Sequence, residues 1–154
     1  MTSVTAKPRV SRAAMLLGFA GLLPQFFAVM LIALGGGVTR LVALPVALAY
    51  PLIILSFLGG IWWGFAVRRT DGQGGLAAVA VLPSLVAMAL VGLYAATARI
   101  EWTLVGTGVA LLLTLLVDRH LVATGDAPAD WMRLRVPLSV GLGGLTIVAG
   151  WLVR

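Results

Sequence analysis

The sequence predicts an all-α membrane protein, a bundle of five transmembrane helices with the N-terminus cytoplasmic and the C-terminus outside. Three observations carry that reading. The 154-residue chain is 61% hydrophobic and only 10% charged, against roughly 45–50% apolar and about 25% charged in soluble domains. So few charges cannot cover a water-facing surface, and lipid must be the solvent. Five apolar segments are long enough, or nearly so, to cross a hydrocarbon core of about 30 Å, which takes roughly 20 residues of helix. The basic residues, finally, lie in the connections and favour alternate ones.

The chain divides into a basic N-terminal tail, residues 1–12, and a single membrane domain, residues 13–154. The tail carries Lys7, Arg9 and Arg12 ahead of an apolar run, an order that resembles a secretory signal. The run Ala13–Leu34 is longer than the roughly 7–15 residues of a signal core, and no small-x-small cleavage site closes it. It reads as a retained first helix, followed by a short loop at Gly35-Gly36-Gly37. The second segment is Leu41–Val67, the third Gly75–Ala98, the fourth Trp102–Val117 and the fifth Val136–Val153. None shows a one-sided apolar stripe, as expected where lipid lies on one side and apolar helices on the other. Within lipid each backbone group must be satisfied inside its own segment, so these are helices.

Lys and Arg number eight on the side of the N-terminal tail (Lys7, Arg9, Arg12, Arg68, Arg69, Arg119, Arg133, Arg135) and three on the other (Arg40, Arg99, Arg154). The positive-inside rule then puts the tail in the cytoplasm (or matrix) and the C-terminus outside. The net charge of +6 is spent on topology and anionic headgroups, not on nucleic acid. The fourth connection, His120–Arg135, is the one soluble-looking stretch of any size. Within it Trp131, Arg133 and Arg135 read as an interfacial anchor, tryptophan at headgroup depth and arginines toward phosphates.

The second segment holds the stretch Ser56-Phe57-Leu58-Gly59-Gly60-Ile61-Trp62-Trp63-Gly64. Ser56, Gly60 and Gly64 recur at i, i+4 and i+8 and share one helix face, with Gly59 beside it. Small residues there let a second backbone approach closely. Partners are available in the third segment, at Ala80 and Ser84 beside Pro83, and in the fifth, at Ser139, Gly143 and Gly144; Ser56 and Ser84 lie at similar depth, each roughly 14–18 Å from the same membrane edge at 1.5 Å per residue. A second copy of the chain is the other partner considered. Replacing Gly60 with leucine is expected to disturb packing. Trp62 and Trp63 point about 100° apart, so one can anchor at the interface while the other faces inward. Anchoring is their first reading and the wall of a ligand pocket their second.

Ionisable residues inside membrane segments mark ion and proton pathways, and the five apolar cores contain none. The polar candidates there are Gln25, Ser56, Ser84, Thr107, Thr114, Ser139 and Thr146. Prolines 24, 45, 51 and 83 free backbone carbonyls that neighbours must satisfy. With no cysteine and a single histidine, His120, thiolate chemistry is excluded, and Asp118 with His120 reads as a helix-end charge cluster. No catalytic triad, carboxylate pair or zinc motif stands out, and no cofactor is identifiable.

Leu17-Gly18-Phe19-Ala20-Gly21-Leu22-Leu23-Pro24, Ser56–Gly64, Leu82-Pro83-Ser84-Leu85-Val86-Ala87, Asp118 and Trp131-Met132-Arg133-Leu134-Arg135 together resemble a family of small bacterial inner-membrane proteins of unknown function, related to mitochondrial transmembrane protein 69. The resemblance runs from Leu16 onward. It implies the five-helix membrane fold and supplies no reaction. That family often has histidine where Trp62 stands, a departure that argues against a metal or acid–base role there. Two functions follow. The first is a non-enzymatic assembly or accessory component of a membrane complex, partnered by another membrane protein or by its own copy. The alternative is a binder or carrier of a hydrophobic ligand (quinone, tetrapyrrole or lipid) near Trp62, Trp63 and Pro83.

Overall fold

Peptide groups surrounded by apolar side chains and lipid find partners chiefly in their own helical ladder, and the described residues of the computed structural model are helical along nearly their whole length. It describes residues 10–154 as α1 (Arg12–Ala20), α2 (Leu23–Leu34), α3 (Gly37–Ala66), α4 (Gln73–Thr97), α5 (Ile100–Thr124) and α6 (Trp131–Leu152). Lys7 and Arg9 of the basic tail lie outside the described residues. Taken together, α1 and α2 form one span, and with α3 to α6 they make five helices long and apolar enough to cross a membrane.

The first span breaks at Gly21-Leu22, just ahead of Pro24 in the first turn of α2. Proline suits that position because the first helical N–H groups lack partners in any case. Only Gly35 and Gly36 separate α2 from α3. At 30 residues, α3 is about 45 Å long, longer than a hydrocarbon core is thick. Gly72 takes a left-handed φ of +69° at the entry to α4.

Two expected boundaries were misplaced. α5 runs to Thr124 instead of stopping at Val117, and α6 begins at Trp131 instead of Val136, so the fourth connection shrinks to residues 125–130. The charged triplet Asp118-Arg119-His120 looked like a helix end. The helix carries on through it because Arg119 and His120 are exposed while Asp118 points inward, fully buried. α5 ends one turn later at Gly125, whose φ of +81° lets Asp126 N–H donate to Leu121 O at 2.9 Å, a left-handed cap that glycine makes at little cost.

α6 packs most extensively on α5, α4 on α3, and α2 on α3. The α5–α6 contact is backbone against backbone: a Cβ added to Gly108 would lie 2.6 Å from Gly143 O, and one on Gly143 would lie 2.9 Å from Gly108 O. Among the described residues of α1 none is buried, and this short helix rests against α6.

Candidate functional site

On α3 the inward face is Leu55, Leu58, Gly59, Trp62 and Ala66, spaced three and four apart, and all are buried. This face meets α4 through Gly59, where an added Cβ would overlap Ala80 O and stand 3.5 Å from Pro83 Cβ. At the edge of the same contact the Ser56 and Ser84 hydroxyls are 2.8 Å apart and hydrogen-bonded. Gly60 and Gly64 stand elsewhere. Both are exposed, and nothing lies within 4 Å of a Cβ on either. The close approach expected along Ser56, Gly60 and Gly64 therefore runs along Gly59 within the chain. Gly60 and Gly64 belong to the outer face with Phe57.

The two tryptophans divide their tasks. Trp63 is about half exposed, whereas Trp62 is 3% exposed and its Nε1–H donates to Asp118 Oδ1 at 3.0 Å. Trp131 Nε1–H donates to the same oxygen at 3.0 Å, and Arg135 Nε–H donates to Asp118 Oδ2 at 2.7 Å. Arg135 Nη2 reaches Thr114 Oγ1 at 3.2 Å, and that hydroxyl donates to Leu111 O at 2.6 Å. Asp118 thus gathers donors from α3 and α6. A buried carboxylate requires such company, because an unpaired charge in a low-dielectric interior costs several kcal/mol.

This cluster corrects two expectations: Asp118, expected in a helix-end charge cluster, is buried inside the bundle, and Arg135, expected to face the membrane surface, is buried with it. Arg133 is exposed as an interfacial residue would be. Arg135 is 5% exposed because a guanidinium one turn into α6 meets a carboxylate on α5 before it meets water. A signal was present. The apolar run resumes at Leu121-Val122 after Asp118, and Thr114/Asp118 on α5 answer Trp131/Arg135 on α6, each pair at i, i+4 spacing.

Beside this cluster a cavity of about 270 Å³ lies between the α1–α2 break, α3 and α6. Gly18, Ile54, Ile61, Leu138, Arg135 and Ser139 are among the residues on its wall. Tyr50 also lines it, its hydroxyl donating to Gly21 O. Ser139 is 2% exposed and its Oγ has no partner. Other buried hydroxyls of α5 and α6 behave differently: Thr107 and Thr146 each donate at 2.7 Å to the carbonyl four residues back. Such back-bonding is the usual resort of a helical hydroxyl in an apolar setting. Ser139 alone among these has none.

The region expected to form a pocket, at Trp62 and Pro83, is a shallower groove of about 200 Å³ between α3, α4 and α5, with Leu55 and Val86 also on its wall. Trp63 does not line it, and the one hydroxyl on its wall, that of Thr114, is satisfied. At the end of the bundle that holds the α5–α6 connection, Arg69 Nε donates to Asp126 Oδ1 at 2.7 Å. That contact, assisted by the Thr124 hydroxyl, holds the Asp126 carboxyl down at about 2. Among the described residues no group of three or more His, Cys, Asp or Glu is placed to hold a metal ion.

A family model described as protein of unknown function (DUF3429) matches residues 10–152. No curated protein and no solved structure matches the chain.

Proposed function

The chain belongs to the DUF3429 family of proteins of unknown function, and we propose that it is a non-enzymatic membrane protein that holds an amphiphilic ligand in the cavity between α1, α3 and α6. The orphaned Ser139 hydroxyl carries this reading. A buried hydroxyl without a partner forfeits about 1–3 kcal/mol, and a ligand atom in the adjoining cavity would supply the missing bond. At about 270 Å³ the cavity is just below the range of drug-sized ligand sites, about 300–1,000 Å³. That size suits one tail or a compact head better than a tetrapyrrole.

The test is native mass spectrometry of the chain purified in mild detergent, beside Gly18→Leu. A Cβ at Gly18 meets only the flexible ends of Leu134 and Leu138, at 3.2 and 3.0 Å, so the variant can fold while its larger side chain crowds the cavity. A bound amphiphile in the parent that Gly18→Leu loses is the expected result. Equal occupancy of the two proteins, or none in either, removes the reading.

The role of assembly component has an observation of its own, the outward face of Phe57, Gly60 and Gly64 on α3, where a second helix could pack closely. A blue-native gel that shows only monomer counts against it. With Arg135 drawn into the interior, Lys and Arg still stand at seven against three, which supports a cytoplasmic N-terminus and an inner-membrane location. Kinship with mitochondrial transmembrane protein 69 belongs to the same reading and rests on the motifs quoted for it.

A further inference from the structure

Two side chains able to donate, those of Arg135 and Ser139, belong to the wall of the cavity, and both sit on α6 one turn apart. Of the Arg135 nitrogens, Nε is engaged by Asp118 and Nη2 by Thr114. Nη1 makes no hydrogen bond to the described residues, and Arg135 lines the cavity. Guanidinium nitrogens only donate. Ser139 Oγ is the second group. The other polar groups on the wall are committed: Tyr50 to Gly21 O, and Trp131 Nε1 to Asp118. The unmet need of the wall is therefore for an acceptor.

Charge narrows the class of acceptor. Among the described residues Arg135 is the sole charged one lining the cavity, and its charge is already cancelled by Asp118, whose two oxygens take three donors. An anionic head would bring a second negative charge to one guanidinium in an apolar interior. It would have to draw Arg135 away from Asp118 and leave a fully buried carboxylate without its counter-ion, an arrangement that is strongly unfavourable. A neutral carbonyl takes both hydrogen bonds and adds no charge.

Resting on the reading of this cavity as a ligand site, we infer that its ligand is an uncharged carbonyl-bearing amphiphile. The carbonyl is held between Arg135 Nη1 and Ser139 Oγ, and the apolar part lies along Ile54, Leu138 and Leu142. Asp118 is a positioning residue here: it fixes the guanidinium through Nε and leaves Nη1 for the ligand. Two sources supply this chemistry, a quinone head and the acyl ester of a neutral lipid.

The test incubates the full chain in detergent at pH 8 with one of four probes: decylubiquinone, dioleoylglycerol, palmitate or hexadecane. Each is quantified after gel filtration. One or both carbonyl probes should be retained near one per chain, and palmitate and hexadecane at least tenfold less. Retention of decylubiquinone alone assigns a quinone, and of dioleoylglycerol alone a lipid ester. Ser139→Ala should lower retention of the carbonyl probe roughly three- to tenfold, the loss of one hydrogen bond, without lowering the melting temperature of the ligand-free chain. Palmitate retained as well as the carbonyl probes overturns the inference while the cavity reading stands. So does a Ser139→Ala variant that retains the carbonyl probe like the parent, or hexadecane held equally well. If no probe is retained, the cavity reading falls and this inference falls with it.

Discussion

Pro51 has no N–H to donate to Ala47 O four residues back, and Gln25 Nε2 on α2 supplies the missing donor at 3.2 Å. The same amide nitrogen donates to Thr146 Oγ1 at 3.2 Å, so one buried side chain joins α2, α3 and α6. Gln25→Leu should cost about 0.5–2 kcal/mol, the range for such bonds in lipid and protein interiors. In a Pro51→Ala background the restored N–H bonds to Ala47 O, and the cost should fall. Unfolding titrations in mixed micelles measure the cycle, and an equal cost in both backgrounds would show that Gln25 does not serve the proline. Asp118 and Arg135 allow a second test. Asp118→Leu or Arg135→Met alone strands a buried charge, about 3–5 kcal/mol. The double variant removes both charges and should be markedly less destabilised than the two singles added; additive losses would mean the pair is not coupled.

Helix packing turns on which glycine faces a neighbour. Gly59→Leu must push α4 away, because even its Cβ overlaps Ala80 O; about 1–3 kcal/mol or more is expected. Gly60→Leu should leave the monomer's melting temperature nearly unchanged, the opposite of the expectation from the i, i+4, i+8 spacing. A larger loss for Gly60→Leu than for Gly59→Leu would reverse this assignment of faces. Three crossings out of five were legible to within four residues at both ends, because apolar runs of that length have one solution in lipid. Which face of α3 points inward was not. A helix apolar all round has no polar side to orient it, and adjacent glycines at 59 and 60 offer two smooth faces that only the partner distinguishes. The cavity was equally hidden, since Ser139 looks like any small polar residue until its lack of a partner is seen. The end of α5 was missed because Asp118 was weighed as a charge and not as half of a pair.

Five crossings would place the ends of the bundle's chain on opposite sides, and the connections at one end of the bundle are tied to each other. Arg69, after α3, pairs with Asp126, after α5. Asp126 is ionised in both folded and unfolded chains above its ordinary value of 3.8, so the pair contributes fully there. As pH falls, the unfolded chain takes up its proton first, and the contribution fades until the folded value of about 2 is reached. Stability measured from pH 4 to pH 2 should therefore drop more steeply for the parent than for Asp126→Asn, and parallel curves would show that the pair contributes nothing. This tied side carries Arg68, Arg69, Arg119 and Arg133 against Arg40, Arg99 and Arg154 opposite, and in the orientation proposed above it is the cytoplasmic side. The chain contains no cysteine, so single cysteines report topology without background. Thr70→Cys lies in the exposed α3–α4 connection. Gly36→Cys lies on the other side, where an added Cβ meets nothing within 4 Å. In intact spheroplasts a membrane-impermeant maleimide should label Gly36→Cys and spare Thr70→Cys until the membrane is permeabilised. The reverse pattern would turn the molecule over, placing the Asp118–Arg135 cluster and the Trp131 end of the cavity toward the outer face.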